Sequence, residues 1–134
     1  MIRNGSLLYK FLFFIYLIAL LCLMLLTIKT DQMEIPKQFL GIEVDKVAHF
    51  IIFFPYSILA WLAFNVSCTR RFKNWTFLVI VFSGLLLAAS TELAQSFNPN
   101  RNYDPNDMLA NFIAVFAGTF VITVINYVRV SRLQ

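Results

Sequence analysis

Nine polar side chains in this chain are of types that do chemistry, and they fall into three groups: Asp45, Lys46 and His49; Glu92 and Gln95; Arg101, Asp104, Asp107 and Asn111. An imidazole close to carboxyl groups can accept and return a proton near neutral pH, which makes His49, Glu92 and Asp107 the candidate catalytic residues. Lys46 and Arg101 suit an anionic group such as a phosphate, arginine through paired N–H donors. Asp45, Gln95, Asp104 and Asn111 add donors and acceptors for a ligand. Ser90, Thr91 and Ser96 lie near Glu92 without an activating motif, so no nucleophile is assigned. A histidine with carboxylates could take a divalent cation if at least three ligands converged. No spacing in the sequence demands that, so no metal ligand is assigned and no cofactor is identified.

These groups can meet only if the segments that carry them bring them to one level. Four long apolar segments run at about 7–28, 47–66, 75–97 and 108–128, separated by short polar connections. Each approaches the ~20 residues that a hydrocarbon core of ~30 Å demands at 1.5 Å rise. Backbone groups inside that core must bond to one another, so helices are the expected form. Of 134 residues, 60% are hydrophobic and 13% charged, and fifteen are phenylalanine. A soluble chain of this size lacks the interior to hide so much apolar surface. The fold class expected is all-α: a single membrane domain, 1–134, built as a four-helix up-down bundle.

The first segment follows Arg3 and Lys10 as a signal peptide would, but its apolar run is long and Leu-Leu-Thr-Ile-Lys offers no small-x-small cleavage site. It is read as a retained helix. Arg3, Lys10, Arg70, Arg71, Lys73, Arg129 and Arg132 lie at the two ends and in the middle connection, which carry no acid. Asp31, Glu34, Glu43, Asp45, Asp104 and Asp107 lie in the other two connections. The positive-inside rule then puts both termini in the cytoplasm and the connections 29–46 and 98–107 outside. The formal charge of +4 is a topology signal; its residues are dispersed at helix ends and form no stripe for nucleic acid. Within 29–46, the stretch Glu34–Leu40 suggests a short helix on the membrane surface. Cys22 and Cys68 are not expected to pair, and the chain has no CxxC pair, Walker loop or GxGxxG.

At 100° per residue, Asp45, His49, Ile52, Phe53 and Tyr56 share one face of the second segment. Gly84, Ala88, Thr91, Glu92 and Gln95 share a face of the third; Asp107, Ala110, Asn111, Ala114 and Gly118 share one of the fourth. Gly84-xxx-Ala88 and Ala114-xxx-Gly118 are small-xxx-small pairs of the kind that let membrane helices approach closely, so the third and fourth helices are expected to cross there. All three polar ends lie on the external side, and together they predict an outward-facing polar pocket capped by Arg101 and Asp104.

The run Asp45-Lys46-Val47-Ala48-His49-Phe50, then Glu92-Leu93-Ala94-Gln95, then Pro99 and Arg101, then Asp107 with Asn111, resembles the VanZ-like family in order and spacing. Phe112-Ile113-Ala114 stands where that family has a glycine-containing step after the asparagine. The resemblance covers about residues 45–118. It implies a small integral protein of the bacterial cytoplasmic (inner) membrane with an envelope role, similar to proteins of resistance to the glycopeptide teicoplanin, and it brings no settled reaction.

Three readings follow. In the first, the pocket binds or processes an envelope intermediate, a lipid-linked glycan or a phospholipid headgroup. In the second, the chain is a non-enzymatic membrane subunit or scaffold whose polar cluster fixes helix packing and whose apolar exterior meets the lipid bilayer, a membrane protein partner or a second copy. The third is a proton-coupled transporter using His49 and Glu92. Whether a reaction is catalysed stays open at this level.

Overall fold

The computed structural model describes residues 2–25, 38–64, 73–99 and 103–131. Helix α1 spans Ile2–Leu25, α2 Val44–Phe64, α3 Lys73–Ser96 and α4 Pro105–Ser131; a small hairpin, β1 Gln38–Phe39 and β2 Ile42–Glu43, directly precedes α2. Each helix holds a run long and apolar enough to cross a membrane: Leu7–Leu25, Val44–Phe64, Trp75–Ser96 and Pro105–Val128. The architecture is therefore an all-α bundle of four helices of membrane-spanning length.

All four helices start before the hydropathy boundaries, two of them for local reasons that the structure shows. α4 begins at Pro105 rather than Met108 because Asp104 caps it: its Oδ1 accepts from Asn106 N at 2.8 Å and its carbonyl from Asp107 N at 3.1 Å. Proline then occupies the first helical position, where its missing N–H has no consequence. α2 begins at Val44 rather than Val47 because the hairpin delivers the chain straight into it. That hairpin also corrects the surface helix expected at Glu34–Leu40. Gln38 pairs with Glu43 and Phe39 with Ile42, across a turn in which Leu40 (φ 51°) and Gly41 (φ 81°) are both left-handed. Two successive positive φ angles make the two-residue turn whose twist suits an antiparallel pair, and they are incompatible with a right-handed helix. Residues 34–37 of that expected helix lie outside the described residues, as do 26–28 of the first segment.

α2 is the central helix, packed most extensively on α4 and next on α1, while α3 rests mainly on α4. Phe13, Leu20 and Met24 recur at helical spacing along α1 and are buried; Phe13 lies 5.7 Å from the ring of Tyr56 on α2. Small residues let α2 and α4 close: Ser57 on one side and Gly118 on the other, both buried. A Cβ on Gly118 would stand 2.7 Å from Phe54 O and 3.1 Å from Ser57 Cβ, both on α2. The expected α3–α4 crossing at both small pairs is thus corrected: Gly118 serves the α2–α4 contact. Gly84 meets both neighbours, since its Cβ would lie 2.9 Å from Tyr56 Cε1 and from Val115 Cγ1.

Outside, the pattern inverts that of a soluble protein. Phe14, Phe82 and Phe120 are exposed while Ser57, Thr91, Glu92, Gln95 and Asn111 are buried. This distribution suits a hydrocarbon solvent. Cys22 is exposed and unpaired; Cys68 lies outside the described residues.

Candidate functional site

The N-terminal turns of α2 and α4 and the C-terminal turn of α3 come together at one end of the bundle. Helical periodicity turns His49, Glu92 and Asn111 inward there, and they are 2%, 1% and 0% exposed. Groups so deep in a helix bundle need polar partners, because hydrocarbon offers none. They find one another. Asn111 Nδ2 donates to Glu92 Oε1 at 3.2 Å, and Asn111 Oδ1 faces His49 Nδ1 at 3.2 Å. Glu92 Oε1 also stands 3.3 Å from His49 Nδ1.

This arrangement assigns the imidazole proton. The Asn111 amide nitrogen is committed to Glu92, so its oxygen must be the atom that faces the ring, and an amide oxygen only accepts. Nδ1 therefore carries the hydrogen. The opposite ring atom, Nε2, points at the bundle end, 3.9 Å from Asp45 Oδ1 and 3.8 Å from Asp107 Oδ2. Both separations exceed hydrogen-bond reach.

Around this core lies a charged rim. Lys46 Nζ bonds to Glu43 Oε2 and to Asp104 Oδ2, the latter at 3.2 Å, and stands 3.7 Å from Asp107 Oδ1. That last oxygen is buried without a hydrogen-bond partner. Asp104, beyond the end of the membrane span, has its carboxyl held below the ordinary carboxylate range, chiefly by the Asn106 N–H; burial opposes this, and the Lys46 ammonium adds to the lowering. Glu43, Asp45, Asp104, Asp107 and Glu92 thus face Lys46 and His49, leaving this end rich in acceptors and negative charge.

Of the nine residues singled out, Asp45, Lys46, His49, Glu92, Asp104, Asp107 and Asn111 are brought into one connected group by these contacts. Gln95 goes elsewhere: its Nε2 donates to Met24 O at 2.6 Å. That carbonyl belongs to α1, so Gln95 ties α1 to α3 beside the site. Arg101 lies outside the described residues. Each nearby hydroxyl bonds back to its own helix, Ser90 to Leu86 O, Thr91 to Ala88 O and Ser96 to Leu93 O, which leaves none of them directed as a nucleophile. Glu43 was not among the residues singled out. Its spacing from Lys46, three positions, was the available signal.

The model of the family described as VanZ/LLP1 matches residues 11–126. An uncharacterized protein of Schizosaccharomyces pombe is 39% identical over 70 residues, which are 52% of this chain and 40% of that protein. The matched part is thus well under half of the yeast protein's length. No solved structure matches the chain.

Proposed function

As the chain belongs to the VanZ/LLP1 family, we propose that it is a VanZ-type envelope protein whose polar end binds the headgroup of a membrane-linked intermediate, a lipid-linked glycan or phospholipid. On this reading the whole chain is one membrane domain in the bacterial cytoplasmic membrane, with both termini inside and the site facing outward. His49, Glu92 and Asp107 supply hydrogen bonds and a route for a proton; Asp45, Asp104 and Asn111 shape the polar wall; Lys46 and Arg101 offer positive charge to a phosphate.

One observation carries this reading. A buried imidazole, hydrogen-bonded through Nδ1 to an amide and a carboxylate, turns its other nitrogen toward Asp45 and Asp107 at the bundle end. Packing alone needs polar groups that close on one another. Here the chain of contacts closes on the inner side and stays open at Nε2 and at Asp107 Oδ1. The scaffold reading draws on the inner half, where Asn111, Glu92 and Nδ1 do satisfy each other.

Mass spectrometry of the protein released from its own membrane with lipid retained tests the proposal. A phosphate- or glycan-bearing lipid should accompany the wild type and be lost from Glu92→Gln and Asp107→Asn, both of which should remain folded. Equal lipid retention by all three would support the scaffold. Reporter fusions at Lys73 and the C-terminus should read cytoplasmic, and those at Gln38 and Asn102 external; the reverse pattern would overturn the orientation.

A further inference from the structure

We propose that Asp45, His49 and Asp107 form a binding site for one divalent cation of the Mn2+ type. The three residues each offer a ligand atom, and these atoms lie within 4.8 Å of one another. Ligand bonds of about 2.1 Å place the atoms around a single ion roughly 3–4 Å apart, and the separations from His49 Nε2, 3.8 and 3.9 Å, fall in that range.

The argument rests on what Nε2 faces. With a hydrogen on Nδ1 engaged on the inner side, Nε2 is the ring atom that can ligate, and it faces oxygens of two carboxylates. A proton on Nε2 would not bridge distances of 3.8 and 3.9 Å. A cation held between them does. A second observation lies in Asp107, whose side chain is nine-tenths buried (10% exposed): its Oδ2 faces Nε2, while Oδ1 of the same carboxylate has no hydrogen-bond partner and meets only the Lys46 ammonium, at 3.7 Å. A carboxylate so placed is costly unless a positive charge completes its surroundings. Lys46 approaches that oxygen only to 3.7 Å while it is already bonded to Glu43 and Asp104.

The inner hydrogen bonds have the form that metal-bound histidines usually have. A ligating imidazole donates its other N–H to a carboxylate or carbonyl, which fixes the tautomer and turns the ring. Glu92 and Asn111 stand in that position behind His49. Two carboxylate oxygens with one imidazole are a mixed oxygen–nitrogen set, suited to Mn2+ and its neighbours rather than to the all-oxygen preference of Ca2+. The α2 ligands are four residues apart and so share one face of the helix; the third comes from the first turn of α4. Such an ion would give an acid-rich pocket the positive charge needed to receive a phosphate, yet the site stands on its own geometry, whatever the chain binds from the envelope.

The test uses Mn2+ alone, added to the full chain in detergent without a histidine tag, and read by electron paramagnetic resonance. The free-ion signal should be depleted until one ion per chain is bound. Because the chain contains a single histidine, nitrogen modulation from a coordinated imidazole can come only from His49, and the wild type should show it. Asp45→Asn and Asp107→Asn should each weaken binding at least about tenfold, and Glu92→Gln, acting only through the ring, by about the same or less. His49→Gln should abolish the nitrogen signal. Absence of bound Mn2+ at millimolar concentration, a bound ion with no nitrogen modulation, or binding indifferent to Asp107→Asn would each overturn the proposal. The wild-type spectrum decides the matter even if a variant fails to fold. Retained binding in Glu92→Gln with loss of the accompanying lipid would uphold the cation site and the headgroup reading separately.

Discussion

Two polar layers cross this bundle, and they differ in how their hydrogen bonds close. In the middle, Tyr56 OH donates to Ser83 Oγ at 2.9 Å, and Ser83 Oγ passes its hydrogen to Val79 O at 2.6 Å. On the other side of α2, Thr119 Oγ1 lies 3.1 Å from Ser57 Oγ, and Ser57 donates to Val115 O at 2.9 Å. Every one of these groups is a neutral hydroxyl, and each path ends on a backbone carbonyl. At the bundle end most of the groups are ionisable: among the described residues one ring N–H, one side-chain amide, one ammonium and the Asn106 N–H face five carboxylates and an amide oxygen.

The contrast separates structural polarity from polarity that awaits a ligand. A hydroxyl that returns to a helical carbonyl fixes the register of two helices and asks for nothing more. A buried carboxylate oxygen with no hydrogen-bond partner, as at Asp107, asks for a donor or a cation. Both layers depend on α2 and α4 lying close, so the largest effect should come from breaking that contact. Gly118→Leu would force a side chain against Phe54 O, a backbone atom that cannot turn aside. We expect loss of folded protein, or at least about 3 kcal/mol of destabilisation, measured as thermal unfolding in detergent. An unchanged unfolding midpoint would mean that α2 and α4 do not meet there.

Next in size is the removal of Glu92. Glu92→Leu strands Asn111 Nδ2, leaves the His49 N–H with Asn111 Oδ1 alone, and should cost about 1–3 kcal/mol. Glu92→Gln keeps an oxygen for those donors and should cost much less. If both cost the same, the carboxylate's charge is itself structural and the distinction between the layers fails at its inner edge.

Much of this arrangement was legible in the sequence, and what was not has specific causes. The inward turn of His49, Glu92 and Asn111 follows from helical periodicity and from the polar ends all lying on one side. Four spans followed from apolar runs alone. The helix partner of Gly118 did not, because four-residue spacing identifies a smooth face without saying which smooth face it meets. What Gly118 meets on α2 is a backbone carbonyl, Phe54 O, and a serine, Ser57. The bond from Gln95 to Met24 O leaves no side-chain signature, since any residue supplies that carbonyl. The left-handed Leu40 of the hairpin is equally silent, as only its neighbour Gly41 is a turn residue by type. Convergence of Asp45, His49 and Asp107 needed coordinates: Asp45 and His49 share a helix face, but the third ligand comes from another helix.

The hydroxyl layer should answer more weakly than the ionisable one. Ser57→Ala removes a donor to Val115 O and an acceptor for Thr119 Oγ1, which also reaches Val115 O at 2.8 Å. Both partners keep a bond, so the expected cost is about 0.6 kcal/mol, the average for interhelical hydrogen bonds in membrane proteins. Thermal unfolding again reads it, and Mn2+ binding should be unaffected. A loss comparable with that of Glu92→Leu would make the middle layer as demanding as the end.

The smallest effect belongs to Asp104, at the outer rim of the ionisable layer, and it appears only in acid. Its carboxyl is held below the usual range chiefly by the Asn106 N–H and then by Lys46. A group whose carboxyl is more acidic in the folded state stabilises the fold above its unfolded value, 3.8 here, and that contribution fades as the pH falls through the lower folded value. Asp104→Asn keeps an oxygen for the Asn106 N–H, and asparagine caps helices about as well as aspartate. The variant should therefore match the wild type near neutral pH, where only the exposed pairing with Lys46 is lost. In acid the wild type should lose more of its unfolding midpoint than the variant as the pH falls below the reference value near 4, because only the wild type has a carboxylate there to protonate. Parallel curves would mean that Asp104 acts as a cap alone. A large difference at neutral pH would mean that the Lys46–Asp104 pair belongs to the buried part of the site, because an exposed rim charge next to competing carboxylates has little to lose.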